Sequence, residues 1–286
     1  MTSSKDSLNF IGVAGNLHQW AGSGVSVKLI DGSSDTVSPA LASGTADIGL
    51  QAGDTAALAI AKGLKAKIIG GMVLPWNQYL IASTKSGATK PTDLKGKKFG
   101  ITSFGSGGDY ATETMAKKLG WSPGNYQLVK IGSPAGLAAA LKSGTIDAFY
   151  WSSGTAYQIQ HDGYGKIIGS AVNYIGPTAF EVVLASDNVI KNHPGEVKAF
   201  MQGYVKAVRE IKAEPAKGVT VMVKDWGNDQ AASKSAVRDL LPQMDMDGTI
   251  PQASLNGLAD SVSFLSKGAV TLKNPSSVYE SWKDLG

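Results

Sequence analysis

Cysteine is absent from this chain of 286 residues, and histidine occurs only three times. The lack of cysteine excludes disulfide bonds, thiolate metal sites and cysteine nucleophiles, and it is compatible with either redox compartment. The sequence contains no run of about 20 apolar residues, so it predicts no membrane-spanning helix. Apolar residues make up 43 % of the chain and charged residues 17 %, which is typical of a globular protein.

Strong charge clusters are also missing. Lysine and arginine are scattered, with no cluster longer than Lys95–Lys98, and the formal net charge is only +4. This pattern is typical of a solvated surface, so we predict no nucleic-acid partner. The first seven residues are polar and lack the apolar core of a signal peptide. If the protein is exported, its signal segment is not included in this sequence.

Catalytic and cofactor motifs are not found. The chain has no G-x-S-x-G, H-E-x-x-H or P-loop motif, and its histidines lie far apart in sequence. The stretch Gly105–Tyr110 begins like a dinucleotide fingerprint, but no acidic residue ends a strand about 20 residues later. Residues 245–248 match only a fragment of a calcium loop. We therefore predict a protein that is not an enzyme and that holds no cofactor and no metal.

The chain uses one phrase twice. Leu41–Asp47 reads L-A-S-G-T-A-D, and Leu141–Asp147, 100 residues later, reads L-K-S-G-T-I-D. The flanks match as well: a strand-like run (25–30 and 126–131) and a serine in N-cap position (33 and 133) precede each copy. The period is far too long for a solenoid. The repeat predicts two similar α/β lobes, and two lobes predict a cleft between them.

Alternating strands and helices fill the first copy. We predict strands at 8–14, 25–30, 48–51 and 66–72, with helices at 36–43 and 56–62. Apolar segments Gln78–Ser83 and Phe180–Ser186 bracket the second copy, and we interpret them as the two strands that cross between lobes. Lobe one then comprises residues 1–83 plus 183–286, and lobe two residues 84–182. The alternative is two unrelated strands in consecutive domains.

The last hundred residues show helical periodicity. A long apolar stripe runs from Val197 to Ile211, with Pro194 near the helix start, and shorter stripes follow at 219–226, 255–265 and 278–285. Aromatic and methionine residues at this spacing are typical of core packing, so we assign none of these stripes to a cofactor site.

Strand-to-helix junctions are the candidate ligand site, because ligands of parallel α/β sheets lie beyond the carboxyl ends of the strands. The strongest candidate is the loop 103–108, whose glycines allow close backbone approach and whose serines supply hydroxyl donors to an anion. A helix N-cap in a flexible loop is the alternative. The candidate ligand-binding residues are Asn16, His18, Gln51, Thr55, Trp76, Ser103, Phe104, Gly105, Ser106, Gly107, Trp151 and Glu181.

Several of these residues have a second interpretation. Trp76 and Trp151 are flanked by polar or turn residues, which favours a cleft wall as much as a core position. Glu181 lies in an apolar strand, where a carboxylate needs a partner. That partner is either a lysine or a ligand group that is cationic or carries N–H.

The order and spacing of these segments resemble type II periplasmic binding proteins of ABC transporters. The resemblance is to the branch that binds aliphatic sulfonates, nitrate, taurine and thiamine-precursor pyrimidines. The matching phrases are S-G-T-A-D with Gln51–Asp54, the turn 93–98 before Phe99–Ile101, the Gly105-Ser106 pair, residues 143–148, and Pro194 before the long helix. The resemblance implies an α/β fold of two Rossmann-like lobes with a central cleft and two crossing strands. It also implies a ligand in that cleft, with Gly105 and Ser106 giving donors to its anionic head.

The function implied by the resemblance is capture of a small organic anion, sulfonate-like or carboxylate, for an ABC transporter permease in the membrane. We expect a monomer that is periplasmic or extracellular, and we leave a lipid anchor open. The alternatives are an enzyme on the same fold, a binder of a pyrimidine-type neutral or cationic ligand, and the effector domain of a transcription regulator. The chain departs from the family pattern at residues 17–24, where family members carry a full helix.

Overall fold

The computed structural model describes Met1, Trp20, residues 22–30, Gly32, 34–245 and 247–286. The predicted strand at 8–14, the cap at Ser33 and the candidate site residues Asn16 and His18 lie outside the described residues. The strands are β1 (Ile48–Ala52), β2 (Ala66–Val73), β3 (Tyr79–Ser83), β4 (Lys98–Ile101), β5 (Gln127–Lys130), β6 (Ala148–Trp151), β7 (Gly165–Ser170) and β8 (Glu181–Ser186). The helices are α1 (Ser34–Ser43), α2 (Gly53–Ala61), α3 (Gly107–Lys118), α4 (Pro134–Ser143), α5 (Ser153–His161), α6 (Asp187–Asn192), α7 (Pro194–Ala213), α8 (Pro215–Lys224), α9 (Gln230–Leu240), α10 (Gln252–Asn256) and α11 (Leu258–Leu265).

Two sheets organise the described part of the chain. The three-stranded sheet has the order β1-β8-β2, and the five-stranded sheet has the order β5-β4-β6-β3-β7. Strand β8 is antiparallel to both of its neighbours, and β3 is antiparallel to both of its own. Each sheet therefore contains one antiparallel strand between two strands of its own repeat copy. The α/β fold with two lobes, each built on its own sheet, is confirmed.

The 100-residue repeat is visible in the hydrogen bonds of both copies. Gly44 and Gly144 end α1 and α4 in the left-handed region, at φ +74° and +85°. In each copy the serine before this glycine lies 2.9 Å from the hydroxyl of the threonine after it. The same serine also donates to the carbonyl three residues earlier, at 3.2 and 3.0 Å. The repeated phrase thus ends a helix and leads into β1 or β6, which occupy equivalent places beside β8 and β3.

The sheet to which β3 and β8 each belong shows where the chain passes between the two sheets. Strand β3 lies in the five-stranded sheet and β8 in the three-stranded sheet, so the chain passes between the sheets ahead of each strand, at 74–78 and at 171–180. Helix α9 packs chiefly against α5, so part of 183–286 lies against the second sheet's helices. The division into 1–83 plus 183–286 and 84–182 stays a prediction. These contacts favour moving its first boundary to 74–78.

Two predicted elements are wrong. Residues 25–30 form no strand, although Val27 and Leu29 pack against the main core as their alternation predicts. The stripe at 278–285 is not a helix: the backbone N–H groups of Glu280 and Trp282 donate to Ile68 and Ile69, both at 2.9 Å. This end of the chain therefore runs along β2, because a tertiary partner offers hydrogen bonds that a short helix would make internally.

The long helix α7 is confirmed, and it carries the buried stripe from Val197 to Ile211. Trp20 packs on it: the indole Nε1 donates to the Phe200 carbonyl at 3.0 Å, and the two rings stack at 5.3 Å. Gly203 makes this possible, since a Cβ there would lie 2.2 Å from the Trp20 Nε1. Trp20 is therefore a core residue.

Two glycines pack closely against the backbone of the second crossing, at Pro177–Phe180. A Cβ on Gly53 would lie 1.9 Å from the Ala179 oxygen, and a Cβ on Gly257 would lie 1.9 Å from the Pro177 oxygen. The Gly53 N–H donates to the Phe180 carbonyl at 2.8 Å. Only glycine allows backbones this close. The contact fixes the start of β8 against α2 and α11, and so places Phe180 and Glu181.

Candidate ligand-binding cleft

A chain of aromatic rings joins the two crossings to both halves of the molecule. The ring of Trp76, on the first crossing, lies 4.7 Å from Phe180 on the second and 5.0 Å from Tyr110 of α3. Tyr110 in turn lies 5.1 Å from Phe264 of α11. We call these four residues the aromatic chain. Trp76 is only 2 % exposed, and its Nε1 donates to the side-chain oxygen of Gln78 at 3.1 Å.

The loop before α3 packs directly on this chain. A Cβ at Gly107 would lie 3.1 Å from the Trp76 ring, so the absence of a side chain lets the loop approach the indole. Gly105 is in the left-handed region at φ +83°, which favours glycine. Ser103 and Phe104 are exposed, Phe104 by 60 %. The structure therefore brings Gly107 and Trp76 together and leaves Phe104 in solvent, and their role in ligand binding stays a prediction.

Asp109 accepts a hydrogen bond from the Gly105 N–H, one of the donors that the sequence analysis assigned to a ligand. Its Oδ2 accepts the Gly105 N–H at 2.7 Å, and its own N–H donates to the Ser106 hydroxyl at 3.4 Å, which caps α3. Asp109 is 3 % exposed, and this burial raises the pKa of its carboxyl, while the Gly105 N–H opposes the rise. Sequence reasoning missed this role. The spacing Ser106-Gly-Gly-Asp109 is a capping-box pattern and could have revealed it.

Gln51 and Asp54 lie at the junction of β1 and α2, on the first-lobe side of the candidate site. Gln51 is fully buried, and its Nε2 donates to the Ser38 hydroxyl at 3.1 Å. Asp54 opens α2 and accepts the Thr55 N–H at 2.6 Å, with the Thr55 hydroxyl at 3.3 Å. Burial raises the pKa of Asp54 to about 6, because the charged carboxylate loses its water. Thr55 is thus engaged by its neighbour, and Gln51 is tied to α1.

Acidic side chains gather around Tyr110. Burial raises the pKa of its hydroxyl, and the negative charges of Asp260 and Asp54 raise it further. Glu181, 8 % exposed, begins β8 opposite Ala52, at the carboxyl end of β1. These carboxyls come from the first lobe, whereas Tyr110 comes from α3 beside the second sheet. The surroundings of Tyr110 are therefore acidic on the side of α2 and α11, which carry Asp54 and Asp260.

Trp151 lies elsewhere. It is partly buried against the cluster that contains Ile81 and Phe149, on the face of the second sheet opposite Tyr150. The helix that follows it contributes Gly154 and Thr155 to a separate cavity of about 280 Å³. The structure does not join Trp151 to the aromatic chain, and its place in a cleft stays a prediction.

His161 and His193 each lie beside an acidic side chain. Within the described ranges, no three or more His, Asp or Glu side chains are placed to hold a metal ion. His161 lies 3.5 Å from Asp229 and His193 lies 3.1 Å from Glu196, both pairs being at helix ends. Where the structure describes the chain, no helix is long and apolar enough to cross a membrane.

Comparisons with known proteins complete the description of this site. A family model described as NMT1/THI5 like matches residues 10–218. The taurine-binding periplasmic protein of Escherichia coli (strain K12) is 27 % identical over 186 residues, which cover 62 % of this chain and 55 % of that protein. The match thus spans about half the length of that relative.

Solved structures agree over nearly the whole chain. The alkanesulfonate-binding protein SsuA from Xanthomonas axonopodis pv. citri, bound to MOPS, superposes with a TM-score of 0.79 at 16 % identity and covers 98 % of this chain and 96 % of its own. The periplasmic aliphatic sulphonate binding protein SsuA from Escherichia coli gives 0.77 at 15 % identity, covering 95 % and 87 %. At these identities the matches establish the fold.

Proposed function

Because this chain belongs to the NMT1/THI5-like family, we propose that it is a solute-binding protein that captures a small organic anion, sulfonate-like or carboxylate, between its two lobes. The solute is then delivered to the membrane permease of an ABC importer. The observation that supports this most is the aromatic chain, which links both crossings beside the Gly105–Gly107 loop. A solute held there touches both lobes and so favours their closed arrangement.

The anionic head is bound by the donors that remain at the start of α3. The Gly105 N–H is committed to Asp109, so the head takes the hydroxyls of Ser103 and Ser106 and the first N–H groups of the helix, beginning at Gly107. The positive end of the helix dipole adds a favourable field. The organic part of the solute packs against Tyr110 and Phe264, the two partly exposed members of the aromatic chain.

A second candidate is a ligand that carries a cationic or N–H-bearing group, such as an aminopyrimidine. Asp54 and Glu181 are buried on the first-lobe side, where their charges repel a bare anion. An ammonium or ring N–H group placed near Asp54 turns this repulsion into attraction. A solute with an anionic head at Ser106 and an amine at Asp54 satisfies both sides of the cleft.

A matched series of two-carbon solutes separates these candidates. Taurine carries both charges, ethanesulfonate only the sulfonate and ethylammonium only the amine. Calorimetric titration of each is expected to rank taurine first, ethanesulfonate second and ethylammonium last. The variant Asp54→Asn should remove the preference for taurine over ethanesulfonate while keeping ethanesulfonate binding. Equal binding of all three, or none across sulfonates, nitrate, carboxylates and pyrimidines, would overturn the proposal.

The remaining parts of the proposal have their own measurements. We propose two lobes with crossings at 74–78 and 171–180, and small-angle scattering should show a smaller radius of gyration with bound solute.

Mass spectrometry of solute recovered after incubation should find it unchanged, whereas turnover would indicate an enzyme on the same fold. Light scattering should give a monomer, and fractionation of the native host should place the protein outside the cytoplasm.

A further inference from the structure

A groove of about 630 Å³ lies on the C-terminal helices, away from the cleft. Its apolar lining includes Val219 on α8, Val237 on α9 and Leu241 just after α9, which we call its floor, together with Pro215 and Pro242. None of the residues that line it belongs to the candidate cleft. A volume of this size with a mostly apolar lining is typical of small-molecule sites.

The sequence builds this groove by placing short side chains on one face of each helix. On α8 the groove face carries Pro215, Ala216 and Val219, whereas Val221 and Met222 on the other face are buried. On α9 the lining residues recur with helical spacing at 230, 234, 237, 238 and 241.

The charged residues that line the groove are all basic. Lys212, Lys234 and Arg238 line the groove, and none of its 11 lining residues is acidic. Arg238 lies 3.4 Å from Asp239 and is 72 % exposed, whereas neither lysine is in an ion pair with any residue that the structure describes. An apolar floor with a cationic rim is complementary to a molecule that has an apolar body and an anionic head.

We propose that this groove binds one monomeric anionic amphiphile, a linear alkyl chain with a carboxylate, sulfate or sulfonate head. The chain lies on Val219, Val237 and Leu241, and the head lies against Lys234 and Lys212. A bare anion would leave the floor in water, and an uncharged alkane would leave the rim without counter-charge. A bilayer surface is too flat to reach the floor of a groove between two helices, which is why the monomer is the occupant.

The first test compares three ligands on the full chain by calorimetric titration below their micelle concentrations. Decanoate is expected to bind with one-to-one stoichiometry, and decyltrimethylammonium, with the same chain and the opposite charge, about tenfold more weakly. Octanoate should bind up to about fourfold more weakly for each methylene lost, because each buried methylene adds a fixed increment. Equal binding of the anionic and cationic ligands, or no decanoate binding, overturns the proposal.

Variants locate the binding. Ala216→Trp fills the groove from an exposed position and should abolish decanoate binding, whereas Ala231→Trp, an exposed alanine of α9 that does not line the groove, should not. Lys234→Glu should weaken decanoate about tenfold, with Lys224→Glu as the matched control outside the groove. If Ala216→Trp fails to fold, Thr220→Trp gives the same test. Decanoate binding that survives the filled groove, or binding seen only with anionic phospholipid vesicles, contradicts the assignment.

Discussion

The contact between Gly53 and the second crossing gives the sharpest quantitative prediction. In Gly53→Ala the new Cβ would lie 1.9 Å from the Ala179 oxygen, whereas real Cβ atoms essentially never come within 3.0 Å of another heavy atom. The backbones of α2 and of the crossing must therefore separate by about 1 Å. The clash is with a carbonyl rather than with the end of a flexible side chain, so no rotamer change relieves it.

The magnitude follows from two opposing effects. Overpacking of this kind costs about 1–3 kcal/mol, and a backbone clash belongs at the upper end. The alanine recovers less than about 1 kcal/mol, because it restricts the unfolded chain and favours helix. We expect a net loss of about 2 kcal/mol, which corresponds to a melting temperature lower by roughly 4–8 °C for a protein of this size.

Urea and thermal denaturation followed by circular dichroism provide the assay. Gly195→Ala is the matched control, since Gly195 is also near the start of a helix and a Cβ there would have no other atom within 4 Å. The control should be as stable as the parent or slightly more so. If Gly53→Ala is as stable as Gly195→Ala, the close approach of α2 to the crossing is not as the structure describes it.

Three further predictions concern the cleft. Burial raises the pKa of Asp54 to about 6 from an unfolded value near 4, so the contribution of Asp54 to stability should fall by up to roughly 3 kcal/mol as pH rises from 4 to 6. In Asp54→Asn the difference in stability between pH 4.5 and pH 7.5, measured by urea denaturation, should shift by this contribution, and an unchanged pH profile would contradict it. Ser106→Ala should cost about 1 kcal/mol by removing the cap of α3, with Ser106→Thr retaining most of it, as measured by denaturation. Trp76→Ala should cost about 3–5 kcal/mol, because the indole is buried between Tyr110 and Phe180; a loss below about 1 kcal/mol would show that the aromatic chain carries little packing energy.

Local signals made much of the fold predictable. The repeated phrase combines a helix stop with a strand start, and both are set by the residues themselves: Gly44 and Gly144 adopt positive φ, and Ser133 caps α4 through the Gly136 N–H at 3.1 Å. The order of these local signals also indicated the type II periplasmic binding protein fold, which the structural matches confirm. Where each element is decided by its own residues, a single sequence is sufficient.

The structure of the other segments depends on partners that are distant in sequence. Residues 25–30 alternate like a strand yet form no ladder in the described chain, since alternation predicts which side chains are buried but not whether a partner strand is present. The last stripe has a helical period but takes its hydrogen bonds from β2, more than 200 residues earlier. At the start of α3, the sequence predicted a ligand-binding loop at Gly105 but not that the Asp109 carboxylate accepts the Gly105 N–H.

The two glycines that pack against Pro177–Phe180 limit where the second crossing can move relative to the first sheet. Carbonyls seated against the backbones of Gly53 and Gly257 turn this stretch into a rigid extension of the first sheet. If the lobes rotate relative to one another, we expect the backbone angles of this crossing to change before Pro177 rather than within Pro177–Phe180. On the other crossing, the Trp76 ring packs against both Phe180 and Tyr110. The two connections are therefore held in different ways: the second by backbone contacts to Gly53 and Gly257, and the first by the packing of an aromatic ring.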